Sequence, residues 1–250
     1  MTHPAYGVLR EVTPTASVIL EDNPGIMTLD GTNTWVLRGA GSAECVVVDP
    51  GYEDMPHLRR VAEAGPVSLI LLTHHHPDHV EGAPWLAAET GAAVRAFDPE
   101  LCRDAEALLD GETFSAAGLE LRVLHTPGHT EDSVSFQLPG AVLTGDTILG
   151  RGTTVISSLG QYLQSLRLLS EISGVVLPGH GPELPDLSTV AGEYLAHREA
   201  RLDQVRAALR QLGPDASARQ VVEVVYADVD RELWGPAEWS VQAQLEYLRS

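Results

Sequence analysis

Residues Thr73-His74-His75-His76-Pro77-Asp78-His79 place four imidazoles and a carboxylate within seven positions, directly behind the apolar run Val67-Ser68-Leu69-Ile70-Leu71-Leu72. That run is short, continuous and bounded by Pro66, which predicts a strand buried on both faces rather than an amphipathic helix. A helical stretch is expected from about residue 80 through Trp85 and Glu89, so the cluster occupies a strand-to-helix loop. Rigid elements on both sides of such a loop aim its side chains at one point. Neutral imidazole suits zinc, iron and similar ions, and a carboxylate adds a harder oxygen donor. A fold that brings this loop against other donors is therefore the main constraint on the chain.

Three further apolar stretches end in the same manner. Leu121-Arg122-Val123-Leu124 leads into Gly128-His129-Thr130, Ala141-Val142-Leu143 into Gly145-Asp146, and Val175-Val176-Leu177 into Gly179-His180-Gly181. Each is a short strand pattern followed by a glycine turn and one residue able to bind a metal. With His75 left out, five of the ten histidines fall in this constellation.

In this order the four motifs resemble those of the metallo-beta-lactamase superfamily, over roughly residues 10–185. The fold that the resemblance implies is α/β: an αββα sandwich. By the same resemblance His74, His76 and His129 hold one metal, Asp78, His79 and His180 hold a second, and Asp146 bridges both. Val46-Val47-Val48-Asp49-Pro50-Gly51 is similar to the superfamily's first motif, in which Asp49 supports the site from behind the ligands. Read alone, Asp49 serves equally well as a turn cap. Two cations about 3.5–4 Å apart share a water and lower its pKa toward neutrality, which implies hydrolysis by a metal-bridged hydroxide. Asp78 and Asp146 are the expected catalytic carboxylates. Two zinc ions are the expected cofactors, with iron or manganese as alternatives.

The remaining histidines have plainer readings. His75 points away from His74 and His76 and is not expected to bind metal; His125, before a proline turn, reads as a hydrogen-bonded structural residue. His3, His57 and His197 default to surface or packing roles. No Gly-x-Ser-x-Gly elbow follows a strand, which argues against a serine nucleophile. All 16 basic residues are arginine, which excludes Schiff-base chemistry by a lysine. Cys45 and Cys102 do not make a disulfide framework. No apolar run reaches the roughly 18 residues that suggest a membrane span, and the first residues lack a basic segment followed by an apolar one; a cytoplasmic protein with no membrane partner is expected.

The formal charge of -19 repels phosphate backbones at long range and lowers the expectation of nucleic-acid partners, DNA in particular. Beyond residues 181–186, which carry two prolines and a glycine, the pattern is wholly helical, with helices expected at 190–212, 217–226 and about 236–249. The division is therefore 1–185, catalytic, and 186–250, a helical module. Residues 193–199 resemble the start of the winged-helix module of the superfamily's endoribonuclease and thioesterase branch, although no strands for a wing follow. Residues 27–35 and 150–155 resemble the same branch, and Asn33, Thr153 and Thr154 are the expected substrate-lining residues, with Arg151 able to meet an anion. The expected reaction is hydrolysis of an RNA phosphodiester or of a small-molecule ester or thioester. A glyoxalase II-like thioesterase, an iron-dependent sulfur dioxygenase and a metal-stabilised binding scaffold are the alternatives. A homodimer, or closure of the active site, is the expected work of the helical module.

Overall fold

The computed structural model describes residues 5–249; His3 lies outside them. Six strands form the first sheet, in the order of the chain: β1 (Arg10–Thr13), β2 (Ala16–Leu20), β3 (Asn33–Leu37), β4 (Cys45–Val48), β5 (Val67–Leu71) and β6 (Ala93–Arg95). β1 to β4 pair antiparallel, and β4, β5 and β6 are parallel. Parallel neighbours need crossovers. The helix α1 (Met55–Glu63) provides the first, and the one-turn helix α2 (Pro77–Val80) with α3 (Ala83–Thr90) provides the second.

The second sheet contains β7 (Thr113–Ala116), β8 (Leu119–His125), β9 (Val134–Leu138), β10 (Ala141–Gly145) and β11 (Val175–Pro178), in the spatial order β11-β10-β9-β8-β7. Only β10 and β11 are parallel, joined across α4 (Leu159–Ser170). The chain ends in α5 (Leu187–Leu212), α6 (Ala218–Val225) and α7 (Trp234–Arg249). Among the described residues no strand follows Pro178.

Side-chain alternation explains the layering. Val46 and Val48 of β4 and Leu71 of β5 point between the sheets, where they meet Leu121, Val123, Phe136, Leu143 and Leu177 of the second sheet. Val47, Ile70 and Leu72 point the other way and pack with Val61 of α1 and Leu86 of α3. The second sheet is covered on its outer face in the same way, as Leu124, Val142 and Val176 pack under Tyr162, Leu163 and Leu166 of α4 and Val190 of α5. The result is an αββα sandwich, and it accounts for the unbroken apolar runs: strands covered on both faces have no polar side to display. The C-terminal helices add a smaller core of Val205, Val221, Val222, Trp234 and Val241.

Local differences from the sequence reading have local causes. The stretch over residues 12–18 reads in sequence as one strand but folds as a hairpin, because Pro14 cannot donate to a ladder and Thr13 and Thr15 close the turn instead. The helix expected from residue 80 is split at Gly82, and each part begins with a proline in its first turn. α6 starts at a capping box in which Ser217 and Gln220 exchange side-chain and backbone bonds. β7, β9 and α1 were not anticipated, although Val134-Ser135-Phe136-Gln137-Leu138 alternates cleanly.

His57, on α1, is buried against the first sheet, with Nε2 2.8 Å from the Thr34 hydroxyl. Burial and the Arg60 charge push its pKa from 6.5 down to about 4. The unfolded chain therefore takes up this proton first, so stability falls as the pH drops from about 6.5 toward 4. Urea midpoints should decline over this range, and the decline should be shallower in His57→Gln; an unchanged difference between pH 6.5 and 4 would rule out His57 as its source.

Candidate metal centre

The seven donors come from four loops at one end of the two sheets. His74 and His76 leave β5, Asp78 and His79 lie on α2, His129 lies between β8 and β9, Asp146 follows β10, and His180 follows β11. One donor atom from each of His74, His76, His129 and Asp146 forms a group within 4.8 Å, and Asp78, His79 and His180 form a second such group. Asp146 lies between them, with Oδ2 3.7 Å from His129 Nε2 and 3.3 Å from His180 Nε2, and Oδ1 3.6 Å from His79 Nε2.

Neighbouring groups decide which nitrogen of each ring is bare. His129 Nδ1 lies 2.7 Å from the Val155 carbonyl and His180 Nδ1 3.1 Å from the Gly31 carbonyl; carbonyls only accept, so both nitrogens carry hydrogen. His79 Nδ1 donates in the same way to Asp49 Oδ2 at 2.8 Å. The Thr73 hydroxyl donates to Asp49 Oδ2 at 2.7 Å and accepts from His74 Nδ1 at 3.0 Å. Four Nε2 atoms are thereby left as lone pairs facing inward.

Two of these lone pairs meet, as His79 Nε2 is 3.3 Å from His180 Nε2; His129 Nε2 lies 3.0 Å from His76 Nδ1, which can donate to it. Among the described residues, His74 Nε2 and Asp146 Oδ1 are buried without a hydrogen-bond partner. Facing lone pairs and orphaned acceptors are unfavourable until a cation lies among them. A tetrahedral ion with bonds of about 2.0–2.1 Å sets its ligand atoms roughly 3.3–3.4 Å apart. The observed spacings of 3.2 Å between His180 and Asp78, 3.3 Å between His180 and His79, and 3.5 Å between His79 and Asp78 fit that requirement.

Protonation follows the same layout. Burial holds the His74 pKa well below its ordinary value and pushes His76 down to about 4. At His180 burial acts in the same direction but is outweighed by Asp146 and Asp78, which raise the pKa well above 6.5. Burial alone would raise Asp146, yet the His180 and His79 charges hold its carboxyl well below the usual range. Burial thus favours the neutral rings of His74 and His76, whereas the carboxylates Asp146 and Asp78 favour positive charge beside them at His180.

Asp49 lies behind this layer. It adopts a positive φ of 53°, and its carboxylate accepts from the Thr73 backbone N–H at 2.8 Å as well as from Thr73 Oγ1 and His79. Asn33 is buried, and its amide donates to the Pro178 and Gly181 carbonyls at 3.0 and 2.8 Å, on either side of His180. Thr153 and Thr154 line a cavity of about 430 Å³ that also reaches His129 and Asp146. Thr154 Oγ1 lies 3.1 Å from His129 Nδ1. Arg151 forks onto Asp30 at 2.5 and 2.8 Å. His75 turns outward to Asp132 at 2.7 Å, and His125 stacks on Phe97 and lies 2.8 Å from the Glu131 carbonyl.

The pattern of the metallo-beta-lactamase superfamily matches residues 27–218, and that of the beta-lactamase associated winged helix domain matches residues 217–250. The chain belongs to the metallo-beta-lactamase superfamily. It is a metal-dependent hydrolase. Among its relatives, "Beta-lactamase-like protein 2 homolog" of Drosophila melanogaster is 35% identical over 96% of this chain and 89% of its own length. "Atrochrysone carboxyl ACP thioesterase" of Aspergillus chevalieri is 32% identical over 90% of this chain and 77% of its own. A beta-lactamase domain protein from Burkholderia ambifaria has the same fold, with a TM-score of 0.84, 23% identity, and coverage of 99% of this chain and 89% of that one. A metallo-beta-lactamase family protein from Thermus thermophilus superimposes with a TM-score of 0.78 and 25% identity, over 96% and 94% of the two chains.

Sequence reasoning missed Thr73, the carbonyls of Gly31 and Val155, and Gly179. A Cβ at Gly179 would lie 2.4 Å from Asp146 Oδ1 and 2.9 Å from His79 Cε1, so only glycine lets β11 approach the donors. Gly179→Ala should lower metal content after dialysis while keeping the far-ultraviolet circular dichroism of the parent; full metal retention would show that the strand has room to move. Asp49→Asn should weaken metal affinity by roughly 10–100-fold, read by competition with a chromophoric chelator.

Proposed function

We propose that the protein hydrolyses thioesters at a two-metal centre. His74, His76 and His129 would hold one cation and Asp78, His79 and His180 the other, with Asp146 between them. The observation that carries this reading is the convergence of five imidazoles and two carboxylates into two groups whose donor atoms lie within 4.8 Å of one another, with the buried Asp146 between them. A donor set of five imidazoles and two carboxylates favours zinc. When bound, a pair of such cations lowers the pKa of water and polarises the substrate carbonyl.

The chain's own groups divide the remaining work. Asp49, through Thr73 and directly, keeps His74 and His79 in the tautomers that present Nε2. Asp78, whose side chain is 13% exposed, accepts from the Thr32 hydroxyl at 3.4 Å and is placed to carry the proton from water to the departing sulfur. In the net reaction a C–O bond replaces the C–S bond, giving a carboxylic acid and a thiol. Walls from α5 and α7 complete the cavity beside Asp146, so the helical module, which we place from residue 186, serves to close the site. No helix among the described residues is long and apolar enough to cross a membrane.

Two observations favour a thioester over RNA. A relative matched over 77% of its length is named "Atrochrysone carboxyl ACP thioesterase". The wide opening beside His76 and His129 is rimmed by Asp98, Glu131 and Asp132, which repel a phosphate backbone on that side of the site.

The metal-replete protein should contain two equivalents of zinc per chain by mass spectrometry. It should turn over acyl thioesters, and both metal and turnover should be lost on exhaustive chelation. Asp146→Ala should reduce turnover to background and keep its circular dichroism. Cleavage of single-stranded RNA that vanishes in this variant, with no thioester turnover by the parent, would replace the thioester reading with a nuclease. One redox-active iron per chain would favour the dioxygenase alternative.

A further inference from the structure

The cavity beside Asp146 and His129 extends under the C-terminal helices, and its apolar lining includes Met27, Leu149, Val229 and Leu233. Arg198 and Arg201 of α5 lie three residues apart on the helix face that borders it. Arg198 is only 4% exposed. Its Nη2 donates to the Thr154 carbonyl, its guanidinium lies 5.1 Å from the Tyr162 ring centroid, and its Nε has no partner. Among the described residues no carboxylate pairs with it. Arg201 lies 4.4 Å over the Tyr226 ring and donates to the neutral Gln204 side chain at 2.7 Å, again without a carboxylate.

Arg198 is the only buried arginine among the described residues, whereas Arg10, Arg95 and Arg151, which each meet an acid, are partly or fully exposed. A buried guanidinium among neutral groups is costly, and its stacking on Tyr162 offsets only part of that cost. A ligand can supply the missing counter-charge. Arg151 is not available for this, because Asp30 already occupies it. His197 adds no charge, as burial and the two neighbouring arginines lower its pKa. Thr154 links the two sites, with its hydroxyl beside His129 and its carbonyl on Arg198.

We propose that the cavity takes a thioester bearing an anionic oxygen group, and that Arg198 and Arg201 receive that anion while the apolar wall holds the carbon skeleton. The proposal rests on the thioesterase reading and specifies its substrate class. The anion is either a carboxylate on the acyl group or a phosphate on the thiol. Both chemistries match the planar fork of arginine.

The test measures kcat/KM of the zinc-loaded protein with two pairs of substrates. Glutaryl and pentanoyl thioesters of N-acetylcysteamine differ only in the acyl carboxylate; pentanoyl thioesters of phosphopantetheine and pantetheine differ only in the phosphate. The expected result is a preference for the anionic member of one pair, which also identifies the source of the anion. That preference should fall at least about tenfold in Arg201→Gln and in Arg198→Gln, and be only partly restored in Arg198→Lys, which keeps the charge and loses the fork. If Arg198→Gln does not fold, Arg201→Gln decides alone. No preference in either pair, or one unchanged in Arg201→Gln, overturns the proposal. If none of the four is hydrolysed, the thioesterase reading fails and the anion site is judged by calorimetry with glutarate and inorganic phosphate. Binding at least about tenfold weaker in Arg201→Gln supports it, and equal affinity overturns it.

Discussion

One buried carboxylate organises the active end of this protein. Asp49, at the end of β4, accepts from the Thr73 backbone, the Thr73 hydroxyl and His79 Nδ1. A carboxylate 1% exposed is tolerable only when its lone pairs are occupied, so these bonds are obligatory rather than incidental. They tie the end of one central strand to the loop after the next, and they determine which nitrogen of His74 and His79 is free. The inward-facing lone pairs, and therefore the demand for a cation, follow from this arrangement.

The sandwich supplies what one loop cannot. β4 and β5 deliver Asp49 and the histidine cluster from the first sheet, whereas β8, β10 and β11 deliver His129, Asp146 and His180 from the second. The two sheets close on a shared apolar layer, so their strand ends face each other across a gap the width of a donor shell. Glycines at the junctions permit the approach. At Gly179 the Asp146 carboxylate occupies the space where a side chain would stand. Packing in the core and donor geometry at the rim are in this sense one requirement.

The candidate ligands were legible because each ends an apolar strand and is marked by a glycine turn, a pattern that survives without knowledge of the fold. Asp49 was less so, since an aspartate after a strand serves equally as a turn cap. Thr73 and the Gly31 and Val155 carbonyls carry no pattern: they matter through hydrogen bonds that depend on where distant loops arrive. The hairpin at Pro14 and the break at Gly82 were marked locally, yet the apolar periodicity running through them suggested single elements. β7 was obscure because an edge strand with one large apolar residue has little to bury. Asn33 shows the opposite limit, since a residue expected at the substrate mouth spends its amide on the carbonyls flanking His180.

The amino-acid sequence by itself determined the kinds of donor, their order along the chain and the strands that present them, because ligand chemistry and alternating burial are properties of residue type and spacing. Tertiary structure decided the rest. It selected the ring tautomers, set the separation between the two donor groups, roofed the cavity with α5 and α7, and left Arg198 buried with no carboxylate paired to it among the described residues. Those outcomes depend on which groups from distant segments come within hydrogen-bond or ion-pair reach, and distances of that kind exist only once the two sheets and the C-terminal helices have packed.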